Sequence, residues 1–145
     1  MANKSNKNSN QSSQKMPVPL ASLPAVLLPW YDREKRSLPW RDIVTPYRTW
    51  VSEIMLQQTR VQAVLPYFER FMSAAPDVPA LAELAEDRLL SLWQGLGYYS
   101  RARSLQRSAR VMVDQYGGCL PDTYSDLIQL PGIGDYTAGA ILSIA

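Results

Sequence analysis

Residues 127–145 read LIQLPGIGDYTAGAILSIA: one short helix and then another, joined through Pro131, Gly132, Ile133 and Gly134. After the break, Ala138, Ile141, Leu142 and Ala145 recur at three- and four-residue spacing, which is the apolar side of a helix. Glycine tolerates positive φ and lets another backbone approach closely, so Gly132 and Gly134 mark a tight hairpin between two helices. The helix that follows offers unpaired N–H groups and a positive dipole end to a phosphate. Contacts of this kind hold a nucleic-acid backbone without reading its sequence. A turn that merely ends one helix and starts another has the same residues; the helical pattern around it favours a helix-hairpin-helix.

That pattern begins far upstream. Residues 1–16 are Asn, Ser, Gln and Lys with no apolar run, a composition that cannot offset the entropy of folding and predicts a disordered polar tail. From Pro17 the chain reads as helical, first as a proline-interrupted segment around LPAVLLPWYDREKR and then a loop SLPWRDIV. Thr45 before Pro46 is an N-cap hydroxyl followed by proline at the first helical position, and it opens a helix over 46–57 with Trp50, Val51 and Ile54 on its buried face. Thr59 suits the cap of the next helix, whose Val61, Val64, Leu65, Phe68 and Met72 share a face, with Pro66 as a kink. Further helices are expected over 79–94 and 100–116. In the last, Ala102, Leu105, Ala109, Met112 and Tyr116 line one side and Arg103, Arg107 and Arg110 the other, a solvated face. No strand pattern competes, so the fold class is all-α, with the hairpin unit at about 123–145.

Composition narrows the chemistry. A chain of 145 residues with 46% hydrophobic content supports one domain with a modest core. A single cysteine, Cys119, excludes an internal disulfide, a four-cysteine zinc site and an iron–sulfur cluster held by this chain alone, and the lack of histidine removes the commonest metal ligand and general base. The net charge of +2 is too small to announce a nucleic-acid partner, but every lysine lies at or before Lys35 and the rest of the chain uses only arginine. No signal peptide is present and no window reaches the ~18 apolar residues of a membrane span, which reads as a cytoplasmic chain with no membrane partner.

Within the helix over 46–57, VSEIMLQQTRV places one carboxylate, Glu53, in an apolar stretch ahead of the paired amides Gln57 and Gln58. A lone acid is most often a surface residue paired with a neighbour, here Arg48 or Arg60. The other reading is a partly desolvated acid: glutamate titrates near ~4.3 in water, and burial beside Trp50 and Ile54 would keep it protonated to higher pH, as a general acid needs.

Four motifs, LPWR (38–41), SEIMLQQT (52–59), GLGYYSRAR (95–103) and LPGIGDYTAGAILS (130–143), resemble in order and spacing the MutY-type adenine DNA glycosylases of the helix-hairpin-helix superfamily, over about residues 20–145. The resemblance implies base-excision repair: hydrolytic removal of adenine mispaired with 8-oxoguanine or guanine in double-stranded DNA, by a monomer working on the nucleoid. It implies that Glu53 is the catalytic acid and Tyr136, where lyase-type relatives carry a lysine nucleophile, its catalytic partner. Gln58 and Tyr98 match wedge positions that fill the gap left by an extruded base, a task that aromatic stacking suits. Arg36, Leu38, Trp40, Arg41 and Val61 match positions lining the adenine pocket, and Thr59, Gly132 and Gly134 join the DNA-contacting set. Tyr99 is expected in the core. The family's second carboxylate, its [4Fe-4S] cysteines and its 8-oxoguanine-reading domain are not found in these residues, so 17–145 is expected to be an incomplete glycosylase domain, truncated after the hairpin, that excises nothing alone and holds no metal. An endonuclease III-like glycosylase for oxidised pyrimidines and a non-catalytic DNA-binding fragment are the alternatives.

Overall fold

Two prolines start the first two helices among the described residues. In the computed structural model, which describes residues 38–144, α1 (Pro39–Asp42) and α2 (Pro46–Leu56) both begin on proline, whose fixed φ suits the first helical position. Thr45 caps α2 by accepting from the Arg48 amide at 3.1 Å. The 1–16 tail, the proline-interrupted segment before residue 38, Arg36 and Ala145 lie outside the described residues.

α2 is the centre of the domain. Tyr47, Thr49, Trp50, Val51, Ser52, Ile54 and Met55 are all buried, so the helix is enclosed on nearly every side, against α1, α3 (Val61–Ala74) and the last helix, α8 (Asp135–Leu142). The Tyr47 hydroxyl donates to the Ala75 carbonyl at 2.6 Å, and burial pushes its phenol far above the usual range. Arg48 donates to the carbonyls of Pro39 and Ile43, which binds α1 and its loop to α2.

α3 buries Val64, Phe68, Phe71 and Met72. Trp40 meets Phe68 edge-on with centroids 5.1 Å apart, and the Arg48 guanidinium lies 5.1 Å from the same ring. Pro66 sits within α3 and is exposed; it removes one N–H from the ladder on the solvent side without ending the helix. Thr59 does not cap α3. The N-cap is Arg60, without a side-chain bond, and the Thr59 hydroxyl turns back to the Gln57 carbonyl.

The segment expected as one helix over 79–94 is two: α4 (Val78–Glu83), capped by Asp77, and α5 (Glu86–Trp93). Leu84 and Ala85 are extended between them. Gln106, buried on α6 (Ser100–Gln115), donates to the carbonyls of Leu81 and Leu84, so a distant side chain satisfies the groups that a continuous helix would have paired. α6 buries Ala102, Leu105, Ala109 and Met112 as its spacing predicts, while Tyr116 is half-buried. Arg103, Arg107 and Arg110 are exposed; Arg103 pairs with Glu86 at 3.2 Å, and both side chains are too solvated for the pair to add much stability.

The hairpin is present. α7 (Tyr124–Leu127), capped by Thr123, leads through Leu130–Gly134 into α8. Leu130 and Ile133 are buried, and the Ser108 hydroxyl of α6 donates to the Pro131 carbonyl at 2.7 Å, fastening the turn to the body. Gly132 has φ 76°, and a Cβ there would lie 3.1 Å from the Ser104 Cβ. All eight helices and no strand are found among the described residues, as the all-α reading requires.

Candidate active site

Glu53 lies near the middle of α2, with Ser52 and Ile54 buried on either side and its own side chain half-buried. Desolvation pushes its carboxyl above the usual glutamate range, and the positive charge of Arg41 pulls the other way. The paired-surface reading is not met: Arg48 spends its donors on Pro39 and Ile43 carbonyls, and the one ion pair among the described residues is Arg103–Glu86. A carboxyl whose pKa burial raises, on a rigid, enclosed helix, is suited to donating a proton to a leaving base.

The remaining site residues divide into two kinds. Leu38 and Trp40 are core residues, whereas Arg41 is exposed and Val61 is 39% exposed at the start of α3. Tyr136, in the first turn of α8, is 79% exposed. Its helix packs against α2 through the buried face of Thr137, Ala138 and Ile141. Tyr98 is 68% exposed on the GLGYY turn. Tyr99 is 38% exposed rather than core; its backbone is the N-cap of α6, and its carbonyl accepts from the Arg103 amide.

Gln58, at φ 60°, and Tyr98, at φ 47°, are the non-glycine residues with positive φ among those described. Sequence reading selected both but passed over Arg101, which joins their turns. Its Nη1 donates to the carbonyls of Ile54 at 2.6 Å, Gln57 at 2.8 Å and Met55 at 3.5 Å, and its Nη2 to those of Leu96 at 3.4 Å and Gly97 at 3.5 Å. Its guanidinium lies 5.4 Å from the Trp93 ring and 5.8 Å from that of Tyr98. The motif RAR after GLGYYS held the only hint, an arginine where a helix begins.

At the hairpin, Gly132 and Gly134 are exposed, with open space in front of Gly134, and no side chain caps α8. The Tyr124 hydroxyl bonds Asp135 in the first turn. A small cavity lies between α2, α6 and the hairpin, lined by Trp50, Ile54, Arg101, Leu105 and Pro131 among others. For a metal the donor set does not fit: among the described residues no group of His, Cys, Asp or Glu could hold one, and Cys119 is exposed and alone. No helix among the described residues is long and apolar enough to cross a membrane.

An enclosed helix with a desolvated acid, packed beside an exposed glycine hairpin, is the arrangement to set against known proteins. Residues 51–141 match the HhH-GPD superfamily of base excision DNA repair proteins. The chain belongs to this family. It is 46% identical over 118 residues to the adenine DNA glycosylase of Buchnera aphidicola subsp. Baizongia pistaciae, an alignment covering 81% of this chain and 34% of that protein. With the adenine DNA glycosylase of Mus musculus it shares 50% identity over 128 residues, 82% of this chain and 25% of the other. The chain thus spans a quarter to a third of the length of these curated relatives. Among solved structures, a thermostable thymine-DNA glycosylase superimposes with a TM-score of 0.73 at 26% identity, over 83% of this chain and 56% of that one. An endonuclease III–DNA covalent intermediate superimposes with a TM-score of 0.66 at 22% identity, over 71% and 49%, which shows the shared fold.

Proposed function

We propose that this chain serves a base-excision repair glycosylase that removes adenine mispaired with 8-oxoguanine or guanine by hydrolysing its N-glycosidic bond. The observation that carries the reading is Glu53: a carboxyl pushed toward its neutral form by burial, on the one helix enclosed on nearly every side. Expelling adenine requires a proton on the leaving base, and a carboxylic acid poised near the working pH supplies it. The target must first leave the stack. Gln58 and Tyr98 occupy the vacated space, Arg41 and Val61 with Arg36 receive the base over a floor of the buried Leu38 and Trp40, and Thr59 with the backbone at Gly132 and Gly134 holds the phosphates. Tyr136 acts beside Glu53. Among residues 38–144 there is no lysine, and Tyr136 stands where a lyase-type relative carries one, which favours a monofunctional enzyme over a pyrimidine-specific lyase. The protein works on duplex DNA in the cytoplasm, as a monomer, and a [4Fe-4S] cluster in the assembled enzyme would draw its ligands from outside the residues described.

The test uses the protein as its gene encodes it. A labelled duplex holding adenine opposite 8-oxoguanine is incubated under single-turnover conditions and cleaved with alkali at abasic sites. Cleavage at that adenine, lost in Glu53→Gln while duplex affinity persists, is the expected result. Excision at the native rate by Glu53→Gln would remove Glu53 from the mechanism, and loss of affinity together with excision would make it a structural residue.

A further inference from the structure

We infer that Arg101 is a positioning residue: it clamps the Gln58 and Tyr98 turns to each other and holds both in left-handed backbone conformation, so that the two side chains enter DNA as one preset wedge. The inference rests on the wedge roles proposed above.

The distribution of strain is the first ground. A left-handed backbone costs any residue with a Cβ, and such residues persist only where the surroundings over-determine them. Among the described residues the two non-glycine cases are Gln58 and Tyr98, which belong to turns some forty residues apart in sequence. Neither residue's shape demands the conformation, so something outside each turn must hold it.

The second ground is what Arg101 touches. Its carbonyl partners include Gln57 and Gly97, the residues immediately before Gln58 and Tyr98, so it fixes the peptide groups that set those two φ angles. Trp93 Nε1 donates to the same Gly97 carbonyl at 3.0 Å and so supports that side. The Ile54 and Met55 carbonyls belong to the last turn of α2, where unpaired C=O groups and the negative dipole end welcome a cation. Burial lowers the Arg101 pKa, yet a guanidinium keeps its charge. A planar fork with five donors can reach both turns at once, which a lysine with one compact charge cannot. The ring of Tyr98 lies over the same guanidinium, which couples the second wedge to the clamp through its side chain as well as its backbone.

The clamp predicts how three variants behave in the protein as its gene encodes it. Extrusion is read from the fluorescence of 2-aminopurine placed opposite 8-oxoguanine, which reports unstacking without requiring chemistry, and excision is read in parallel on adenine. Arg101→Lys should lower both the fluorescence rise and single-turnover excision by about a hundredfold, the scale of a ~1 Å misplacement. The pH profile of the remaining excision should keep its midpoint, because Glu53 is untouched. Adding Gln58→Ala to Arg101→Lys should cost far less than Gln58→Ala does alone. If Arg101→Lys does not fold, the same change combined with Gln58→Gly and Tyr98→Gly decides the matter, since glycine accepts both left-handed positions and should restore the native melting temperature. A folded Arg101→Lys with native extrusion, additive losses in the double variant, or a glycine triple variant that stays unfolded would each overturn the clamp. Failure of the native protein to excise adenine while its extrusion signal still depends on Arg101 would count against the proposed reaction and leave the clamp in place.

Discussion

The hairpin makes two glycines only two residues apart answer to different demands, and substitution separates them. Gly132→Ala must place a Cβ at φ 76°, where a residue other than glycine pays about 1–2 kcal/mol. The new carbon meets the Ser104 Cβ at 3.1 Å, so the hairpin shifts outward by a few tenths of an ångström from α6. That shift stretches the 2.7 Å bond from Ser108 to the Pro131 carbonyl, a contact worth roughly 1 kcal/mol. Alanine recovers about 0.4–1 kcal/mol by restricting the unfolded chain. The net loss is therefore about 1–2 kcal/mol, which lowers the melting temperature by roughly 5–10 °C for a domain of this size. Gly134, the N-cap of α8, is extended at φ −96° with open space before it; alanine is a poorer cap but restricts the unfolded chain by about 0.4–1 kcal/mol, so Gly134→Ala should change stability by no more than about 0.5 kcal/mol while placing a methyl where a phosphate backbone would approach. Thermal unfolding followed at 222 nm measures the first effect, and a salt series of duplex affinities measures the second. Equal melting temperatures for the two variants, or a greater loss for Gly134→Ala, would refute the assignment of close packing to Gly132 and of the DNA-facing backbone to Gly134.

Glu53→Gln should lower excision by about 10²–10⁴-fold; because burial raises the native carboxyl's pKa, wild-type excision should fall as pH rises through that value, and the variant should lose this limb. The same raised pKa means the folded state binds the proton more tightly than the unfolded state, so native stability falls as pH rises through the folded value; Glu53→Gln should melt higher than wild type at the alkaline end, measured by unfolding at several pH values. Borohydride should trap no covalent adduct between the protein and DNA holding adenine opposite 8-oxoguanine, and a strong trapped band on a denaturing gel would overturn the monofunctional reading. Phe68→Ala, which removes a ring fully buried between Trp40 and Arg48, should cost about 3–5 kcal/mol in chemical denaturation.

How far the sequence could be read depends on whether a signal is local. Thr45-Pro46 marks the start of α2 because a cap hydroxyl and a fixed φ act within one turn, and the apolar spacing of α6 shows its buried face for the same reason. The break between α4 and α5 was missed because its cause is Gln106, over twenty residues away, accepting the carbonyls' demand for donors. Glu86 and Asp87 in the first turn of α5 were the local trace of it, acids placed at a new helix start. Tyr99, expected in the core, is the N-cap of α6 with its ring 38% exposed, and no spacing rule in the GLGYY turn tells which of its two tyrosines turns inward. Of the site, the desolvation of Glu53 was legible from its apolar neighbours. The joining of the two strained turns was not, since no spacing rule connects Gln57 with Gly97.

Under the proposed function the acid and the wedge make opposite demands on the fold, and the first explains why α2 bears Glu53. A proton donor must hold its position to within fractions of an ångström, which a helix locked on nearly every side by Trp50, Val51, Ile54 and Met55 provides. Enclosure also supplies the desolvation that raises the carboxyl's pKa, so packing and acidity have one cause. Side chains that must enter a duplex need the opposite: exposure, and a backbone aimed outward from the surface. In the proposed role, Gln58 just after α2 and Tyr98 just before the N-cap of α6 meet that need, in left-handed conformations that cost stability locally. Because the acid and the first of these turns lie on one helix, with Arg101 bonded to its last carbonyls, any movement of the turn relative to Glu53 must strain the core. If Gln58 and Glu53 act as proposed, α2 sets the distance between them before DNA arrives.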